Sequence, residues 1–317
     1  MTRIAYLGPS GTFTEAALAQ ITASGLIPGQ DAGTVQRLPM ESTPAALDAV
    51  RDGAADYACV PIENSIDGSV TPTLDSLGMG SPLQVFAETT LDVAFSIVVR
   101  AGLKPEGANV RTVAAFPVAA AQVRQWLAAH LPDAELRPAY SNADAARQVA
   151  DGLADAAVTS PLAAAHWELA TLADGVVDEP NARTRFVLIG PPGPPPGRSG
   201  ADRTSVVLRL DNTPGALVAA LAEFGIRGID LTRIESRPTR TGLGTYLFFA
   251  DCVGHIDDGA VAEALKALHR RCADVRYLGS WPTGSAAGVA PPPADDASQW
   301  LARLREGKPV PEQGPAP

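Results

Sequence analysis

The sequence predicts an α/β protein with a layered first domain and a compact βαββαβ second domain. Three observations predict it. Residues 3–190 alternate short β-rich runs with alanine-rich helical stretches, a pattern that sets helices on the faces of a sheet. The stretch Gly190-Pro191-Pro192-Gly193-Pro194-Pro195-Pro196-Gly197 can neither continue a helix nor sit inside a sheet, so it reads as a semi-rigid linker and a domain boundary. Beyond it come strand, helix, strand, strand, helix and strand patterns, in that order.

In the first domain the strands are expected at Ile4–Leu7, Val35–Pro39, Tyr57–Val60, Val113–Ala115, Glu135–Pro138 and Ala156–Thr159. Amphipathic helices are expected near Thr14–Ser24, Pro44–Asp52, Val118–His130, Asn142–Gly152 and Pro161–Leu169. Leu83–Arg100 has no helical period and reads as a long, twisted strand pair, a crossover suited to a hinge between two lobes. Asn181–Gly190 returns the chain to a strand. In the second domain the strands are Thr204–Leu210, Asp230–Ser236, Thr245–Cys252 and Val275–Gly279, and the helices Ala216–Phe224 and Gly259–Arg271. The Gly-, Ala- and Pro-rich tail from Pro282 is expected to be mobile, with a short helix at Ser298–Arg305. No repeat architecture is visible.

Composition narrows the function. The chain has 317 residues, 46% of them hydrophobic and 19% charged, as in ordinary globular proteins that bury a core. A net charge of -10 argues against nucleic acid or an anionic membrane as partner. It also means that a small anionic ligand must be held by a local field. The longest apolar runs, such as Val93–Val99, fall far short of the roughly 20 residues of a membrane span. The N-terminus reads straight into a strand without a signal-peptide pattern. Cys59, Cys252 and Cys272 lie far apart with no C-x-x-C, the pattern of reduced thiols in a cytoplasmic protein. His130, His166, His255 and His269 are equally scattered, and no pair has metal-ligand spacing.

Four stretches carry chemistry. Gly8-Pro9-Ser10-Gly11-Thr12-Phe13-Thr14 sets two glycines and three hydroxyls before a helix, where free N–H groups and the helix dipole favour a carboxylate or phosphate. It lacks the lysine of a P-loop and the G-x-G-x-x-G of dinucleotide folds, and a plain N-cap would need only one hydroxyl. Cys59-Val60-Pro61-Ile62-Glu63-Asn64-Ser65-Ile66-Asp67-Gly68-Ser69-Val70 puts polar residues at a strand's C-terminal edge, where α/β folds gather ligand groups. Thr159-Ser160-Pro161 offers hydroxyls at a helix start, although a cap with proline in the first turn accounts for it equally well. Asn181-Ala182-Arg183-Thr184-Arg185-Phe186 brings a hydroxyl, two guanidinium groups and a ring to a strand's entrance.

In this order, these stretches resemble the prephenate dehydratase family over residues 3–281. The matching motifs are Gly8–Thr14, Glu63–Val70 and Thr184-Arg185-Phe186, with Gly215-Ala216-Leu217 and Glu235-Ser236-Arg237-Pro238 resembling the ACT module. The resemblance implies a two-lobed catalytic domain like the type 2 periplasmic binding proteins (1–190), with lobe one at about 1–80 and 184–190 and lobe two at about 81–183. A linker (191–202), a ferredoxin-like βαββαβ ACT domain (203–281) and a tail (282–317) follow. Two residues separate Asn181 from Thr184, where the family often has one.

The implied activity is decarboxylating dehydration of prephenate to phenylpyruvate, water and carbon dioxide, with no metal or organic cofactor. Thr184 is implied as hydroxyl donor to the departing ring hydroxyl. A threonine is a poor acid, so Glu63 and Arg185 are expected to polarise it, with Glu63 orienting substrate or itself serving as the acid as alternatives. Ser10, Thr12, Asn64, Ser65, Thr159, Ser160 and Asn181 are expected around the substrate, with Phe186 beneath. L-phenylalanine is the expected effector, bound by Asp211, Asn212, Gly215, Ala216 and Leu217 with Glu235, Ser236, Arg237 and Pro238, in a homodimer or homotetramer; an ACT fold kept only for dimerisation is the alternative. Arogenate dehydratase, a non-catalytic binding protein and a pure amino-acid sensor are the rival readings.

Overall fold

A computed structural model of the chain describes residues 1–29, 35–102, 110–242, 244–284, 288–292 and 297–308, which divide into two units, Met1–Pro196 and Gly197–Pro317. The first unit begins β1 (Thr2–Leu7), α1 (Phe13–Ala23), β2 (Val35–Met40), α2 (Thr43–Arg51), β3 (Tyr57–Asn64), β4 (Gly68–Ser69), α3 (Thr71–Gly78) and β5 (Gln84–Asp92). It continues β6 (Phe95–Val99), β7 (Thr112–Ala115), α4 (Pro117–Gln122), α5 (Arg124–His130), β8 (Glu135–Pro138), α6 (Asn142–Ala150), β9 (Ala156–Thr159), α7 (Pro161–His166), β10 (Ala170–Val176) and β11 (Arg183–Gly190).

These strands form two sheets, one per lobe. The first has the order β2-β1-β3-β11-β5 with β4 beside β3, and the second the order β10-β6-β9-β7-β8. Every residue of β6 and β9 is buried, so these strands read as continuous apolar runs rather than alternating ones. Helix α1 starts at an N-cap, Thr12, whose Oγ1 accepts from the Glu15 amide. Its buried face, Ala17, Leu18 and Ile21, packs with Ile4, Tyr6, Phe186 and Leu188.

The stretch 83–100 departs from expectation. Its two strands do not pair: β5 lies in the first sheet along β11, and β6 in the second beside β9 and β10. The chain therefore changes lobes at Val93–Ala94, not near residue 80. There the Val93 amide donates to the carbonyl of Ala182 at 2.7 Å, tying the outward and returning crossings together. The helix expected over 118–130 is broken at Val123, the junction of α4 and α5. Helix α3 and strand β10 had no counterpart in the sequence reading.

The second unit runs β12 (Asp202–Arg209), α8 (Ala216–Gly225), β13 (Leu231–Pro238), β14 (Tyr246–Val253), α9 (Gly259–Arg271), β15 (Asp274–Pro282) and α10 (Ala297–Arg305). The sheet order is β13-β14-β12-β15, with every neighbour antiparallel. Val206, Leu208, Ala250 and Cys252 pack beneath Phe224, Val261 and Leu268 of the two helices. Part of the tail expected to be mobile is laid against this unit. The Val289 amide donates to Asp230 at 3.1 Å, and side chains at Gly228 and Gly254 would meet Pro292 and Pro291. Residues 285–287, 293–296 and 309–317 of that tail lie outside the described residues.

Candidate active site

The C-terminal ends of β1, β2 and β3 open into a cavity of about 850 Å³ within the first unit. Leu7–Pro9 and Thr12–Thr14 form one wall, Pro39–Glu41 the next, and Pro61, Asn64 and Val70 a third. The second lobe adds Phe116, Val118, Tyr140, Ser141, Asn142 and Asp144. The start of β11 supplies Thr184 and Phe186. This is where open α/β sheets gather ligands.

Thr184 is held by Asn64. The two residues face each other across the β3–β11 ladder, and Asn64 Nδ2 donates to Thr184 Oγ1 at 2.9 Å. The amide's orientation is fixed from its other end, because Oδ1 accepts from the amides of Ile66 at 2.8 Å and Asp67 at 3.0 Å. Thr184 Oγ1 is thus an acceptor towards Asn64. Its own proton engages no acceptor among the described residues, and Thr184 lines the cavity.

Glu63 and Arg185 are a correction to the expected arrangement. Side chains of a strand alternate between faces, so Thr184 and Phe186 meet the cavity while Arg185 points away. Arg185, 7% exposed, pairs with Glu63 at 2.9 Å and with the buried Glu88 at 3.2 Å. Neither Glu63 nor Arg185 lines the cavity. Phe186 both lines the cavity and belongs to the core beneath it.

The predicted hydroxyls divide sharply. Thr12 lines the cavity, donates to the Leu7 carbonyl at 3.0 Å and caps α1. Ser10 is exposed beside Tyr6 at 3.1 Å and does not reach the cavity wall. Ser65 and Asn181 form a clasp at the mouth of β11. Ser65 Oγ donates to the Asn181 carbonyl at 3.3 Å and accepts from the Arg183 amide at 2.8 Å. Asn181 takes φ +77°, a left-handed conformation that asparagine tolerates, which accommodates the longer spacing before Thr184. Thr159 and Ser160 are buried behind the cavity, where Thr159 donates to the Asn142 carbonyl and Ser160 to that of Gly11.

Among the described residues no lysine or arginine lines the cavity, and the charged lining residues are Glu41 and Asp144. Burial disfavours ionisation of Asp144, but donors from the Tyr140 amide, Arg147 and Gln148 outweigh it and hold the carboxyl below its ordinary range. Positive potential for an anion therefore comes from helix N-termini. The caps of α1 and α6, Thr12 and Ser141, each accept one amide of the first turn, and both residues line the cavity. The sequence reading missed Glu41, Phe116, Tyr140, Ser141, Asn142 and Asp144. The signal was present: each follows the end of a parallel strand, and Ser141-x-x-Asp144 is a capping pattern.

In the second unit Leu247 pairs with both Arg209 and Arg237. The turn Asp211–Leu217 and the end of Glu235–Pro238 therefore share one end of the sheet. Asp211, Asn212 and Gly215 are exposed, and Ala216 and Leu217 half-buried. Gly215 is the left-handed N-cap of α8, with φ +84° and open space where a side chain would stand. Among the described residues no group of His, Cys, Asp and Glu could hold a metal ion, and no helix is long and apolar enough to cross a membrane.

Comparison with known proteins agrees with this geometry. A family model described as Prephenate dehydratase matches residues 4–193, and one described as ACT domain matches residues 204–270. The chain is 80% identical over 309 residues to the prephenate dehydratase of Mycobacterium tuberculosis, covering 98% of this chain and 96% of the relative. It is 78% identical over 315 residues to that of Mycobacterium marinum, covering 99% of both. The crystal structure of prephenate dehydratase from Arthrobacter aurescens in complex with L-Phe superposes with a TM-score of 0.84 at 39% identity, over 96% of this chain and 100% of that one.

Proposed function

The chain belongs to the prephenate dehydratase family, and from that premise we propose how its residues divide the work of catalysis and control. The reaction it catalyses is the decarboxylating dehydration of prephenate to phenylpyruvate. The bond from the ring to its carboxylate breaks and releases carbon dioxide, and that electron pair enters the ring. The carbon–oxygen bond opposite breaks, and the hydroxyl leaves as water once it gains a proton. Aromatisation drives the reaction, so the enzyme's task is to stabilise the charge that builds on the departing oxygen.

Thr184 meets that charge. The observation that carries this assignment is the direction of the Asn64 bond: an Nδ2 donor on Oγ1 leaves the threonine's own proton free for a group in the cavity that Thr184 lines. A hydrogen bond that strengthens as charge develops lowers the barrier without requiring threonine to ionise. The proton that completes the water comes from solvent. The substrate's carboxylates lie against first-turn amides of α1 and α6, with Thr12 and Ser141 beside them, and Phe186 forms the floor. Neutral donors suit a carboxylate that must depart as carbon dioxide, because a tight ion pair would hold the ground state as firmly as the transition state. Arg185 with Glu63 and Glu88 fixes β11 from behind.

L-phenylalanine binds the second unit at the turn Asp211–Leu217, where Gly215 lets a ligand approach the backbone and Asp211 suits an ammonium group. The neighbouring end of Glu235–Pro238 completes the site. The enzyme works as a homodimer or homotetramer through this unit, a reading supported by the exposed apolar residues Val218, Ile226 and Ile234 on α8, the turn after it and the edge strand β13. Three free cysteines support a cytoplasmic location.

The test is formation of phenylpyruvate by purified protein from prephenate, with and without L-phenylalanine. Production modulated by phenylalanine is expected. Unmodulated production would remove the effector site, and phenylalanine formed only from arogenate would move the substrate to the aminated analogue.

A further inference from the structure

Thr159 and Ser160 were expected to donate hydrogen bonds to the substrate, yet both are buried, 0% and 1% exposed, and neither lines the cavity. Their hydroxyls are committed elsewhere. Thr159 Oγ1 donates to the carbonyl of Asn142 at 2.6 Å. Ser160 Oγ accepts from the Ala163 amide at 3.0 Å as the cap of α7, and donates to the carbonyl of Gly11 at 2.5 Å. Asn142 is the first residue of α6, and Gly11 precedes Thr12, the cap of α1. Two consecutive hydroxyls therefore hold the main chain behind the two helix N-termini that face the cavity.

Peptide geometry gives this a consequence. In a trans peptide the carbonyl and the following N–H point in opposite directions. A Gly11 carbonyl drawn back to Ser160 sends the Thr12 amide forward, and Thr12 is on the cavity wall. An Asn142 carbonyl drawn back to Thr159 does the same for the Ala143 amide, beside Ser141 and Asn142 on the opposite wall. The preceding peptide is held as well, because the Gly11 amide donates to Glu15 at 2.7 Å.

We propose that Thr159 and Ser160 are positioning residues that aim the Thr12 and Ala143 amides at the carboxylates of the substrate. The proposal rests on the reading that carboxylates bind at these two N-termini. The Ser160 bond joins residues 149 positions apart and crosses from the second lobe to the first, so the α1 amide is aimed only while the lobes are together. Gly11 is suited to this contact: its φ is +89°, and a Cβ there would stand 2.9 Å from the Cβ of Ala163.

The experiment compares Thr159→Val and Ser160→Ala with the hydroxyl-retaining Thr159→Ser and Ser160→Thr. Steady-state kinetics on prephenate and calorimetric binding of phenylpyruvate are measured in the full-length enzyme. Loss of either hydroxyl should raise KM about tenfold while kcat stays within about threefold, because aiming acts on binding; phenylpyruvate keeps only the side-chain carboxylate, so its Kd should rise about tenfold in the variant whose amide meets that group and stay within about twofold of wild type in the other. The hydroxyl-retaining pair should return both values to within about twofold of wild type. Ser160→Ala also removes the α7 cap, a cost Thr159→Val does not carry, so the valine variant decides if the alanine variant folds poorly. KM and Kd unchanged in Thr159→Val and Ser160→Ala, or kcat falling at constant KM, overturns the proposal. A wild-type enzyme that binds phenylpyruvate but leaves prephenate intact would sink the catalytic reading instead, and the binding arm would still decide this one.

Discussion

The two units of this chain handle charge in opposite ways. Residues 1–196 hold eleven lysines and arginines against twenty-one aspartates and glutamates, so the whole net charge of -10 lies there; residues 197–317 hold fourteen of each. The unit that takes a dianionic substrate is the acidic one. Among the described residues its cavity has no cationic side chain, and of the two arginines flanking Thr184 on the strand, Arg185 is turned away and spent on two carboxylates and Arg183 pairs with Asp92. The balanced second unit also buries an ion pair, Arg233 with Asp251 at 2.9 Å, but offers its effector turn uncharged glycine backbone beside an exposed aspartate. On the proposed reading, arginine organises strands in both units and backbone amides meet the ligand, so the acidic unit admits anions by local dipoles and leaves the departing carboxylate without an ion pair.

The largest test of that contrast is Thr184→Val. Loss of the hydroxyl with its shape retained should lower kcat by about 10²-fold or more, with the unfolding midpoint little changed. Arg185→Leu should behave oppositely. It leaves Glu88 buried without its partner, so chemical denaturation should show a loss of about 3–5 kcal/mol. Adding Glu88→Gln should recover part of that stability, which a catalytic role for Arg185 would not predict. In the second unit, Gly215→Ala forces a left-handed backbone on a residue with a side chain, costing about 1 kcal/mol locally. The ratio of turnover with and without phenylalanine should move to one. The smallest effect concerns acid. The Asp144 carboxyl is depressed in the fold, so its stabilisation is complete above the ordinary carboxylate pKa of about 4 and is lost as pH falls through the depressed value. Asp144→Asn should therefore flatten the acid limb of the stability profile while leaving the second unit's limb in place.

The fold was legible wherever pattern and burial coincide. β9 and α9 lie where the periodicity put them, because β9 is a wholly buried run and α9 an amphipathic one. The crossing near residue 93 was not, since Phe86–Ala87 and Ile97–Val99 are both buried runs and burial does not name the sheet a strand joins. β10 escaped notice because Asp174 and Gly175 interrupt its apolar pattern. At the site, Thr184, Asn64, Thr12 and Phe186 were found from their motifs and line the cavity. The direction of a hydroxyl was not readable: Ser65, Thr159 and Ser160 have the same chemistry as Thr184, but tertiary contacts turn them onto main-chain groups. Glu41 and the second-lobe residues were missed because a loop after a strand does not by itself say that it shares a cavity with Thr184.

If Asn64 acts by directing the Thr184 hydroxyl, a double-mutant cycle on kcat shows it most directly. Asn64→Ala, Thr184→Val and the double variant are compared with wild type on prephenate. If Asn64 works through Thr184, the double variant turns over no more slowly than Thr184→Val alone. If the two losses multiply, Asn64 has an effect of its own and the assignment of the donor fails.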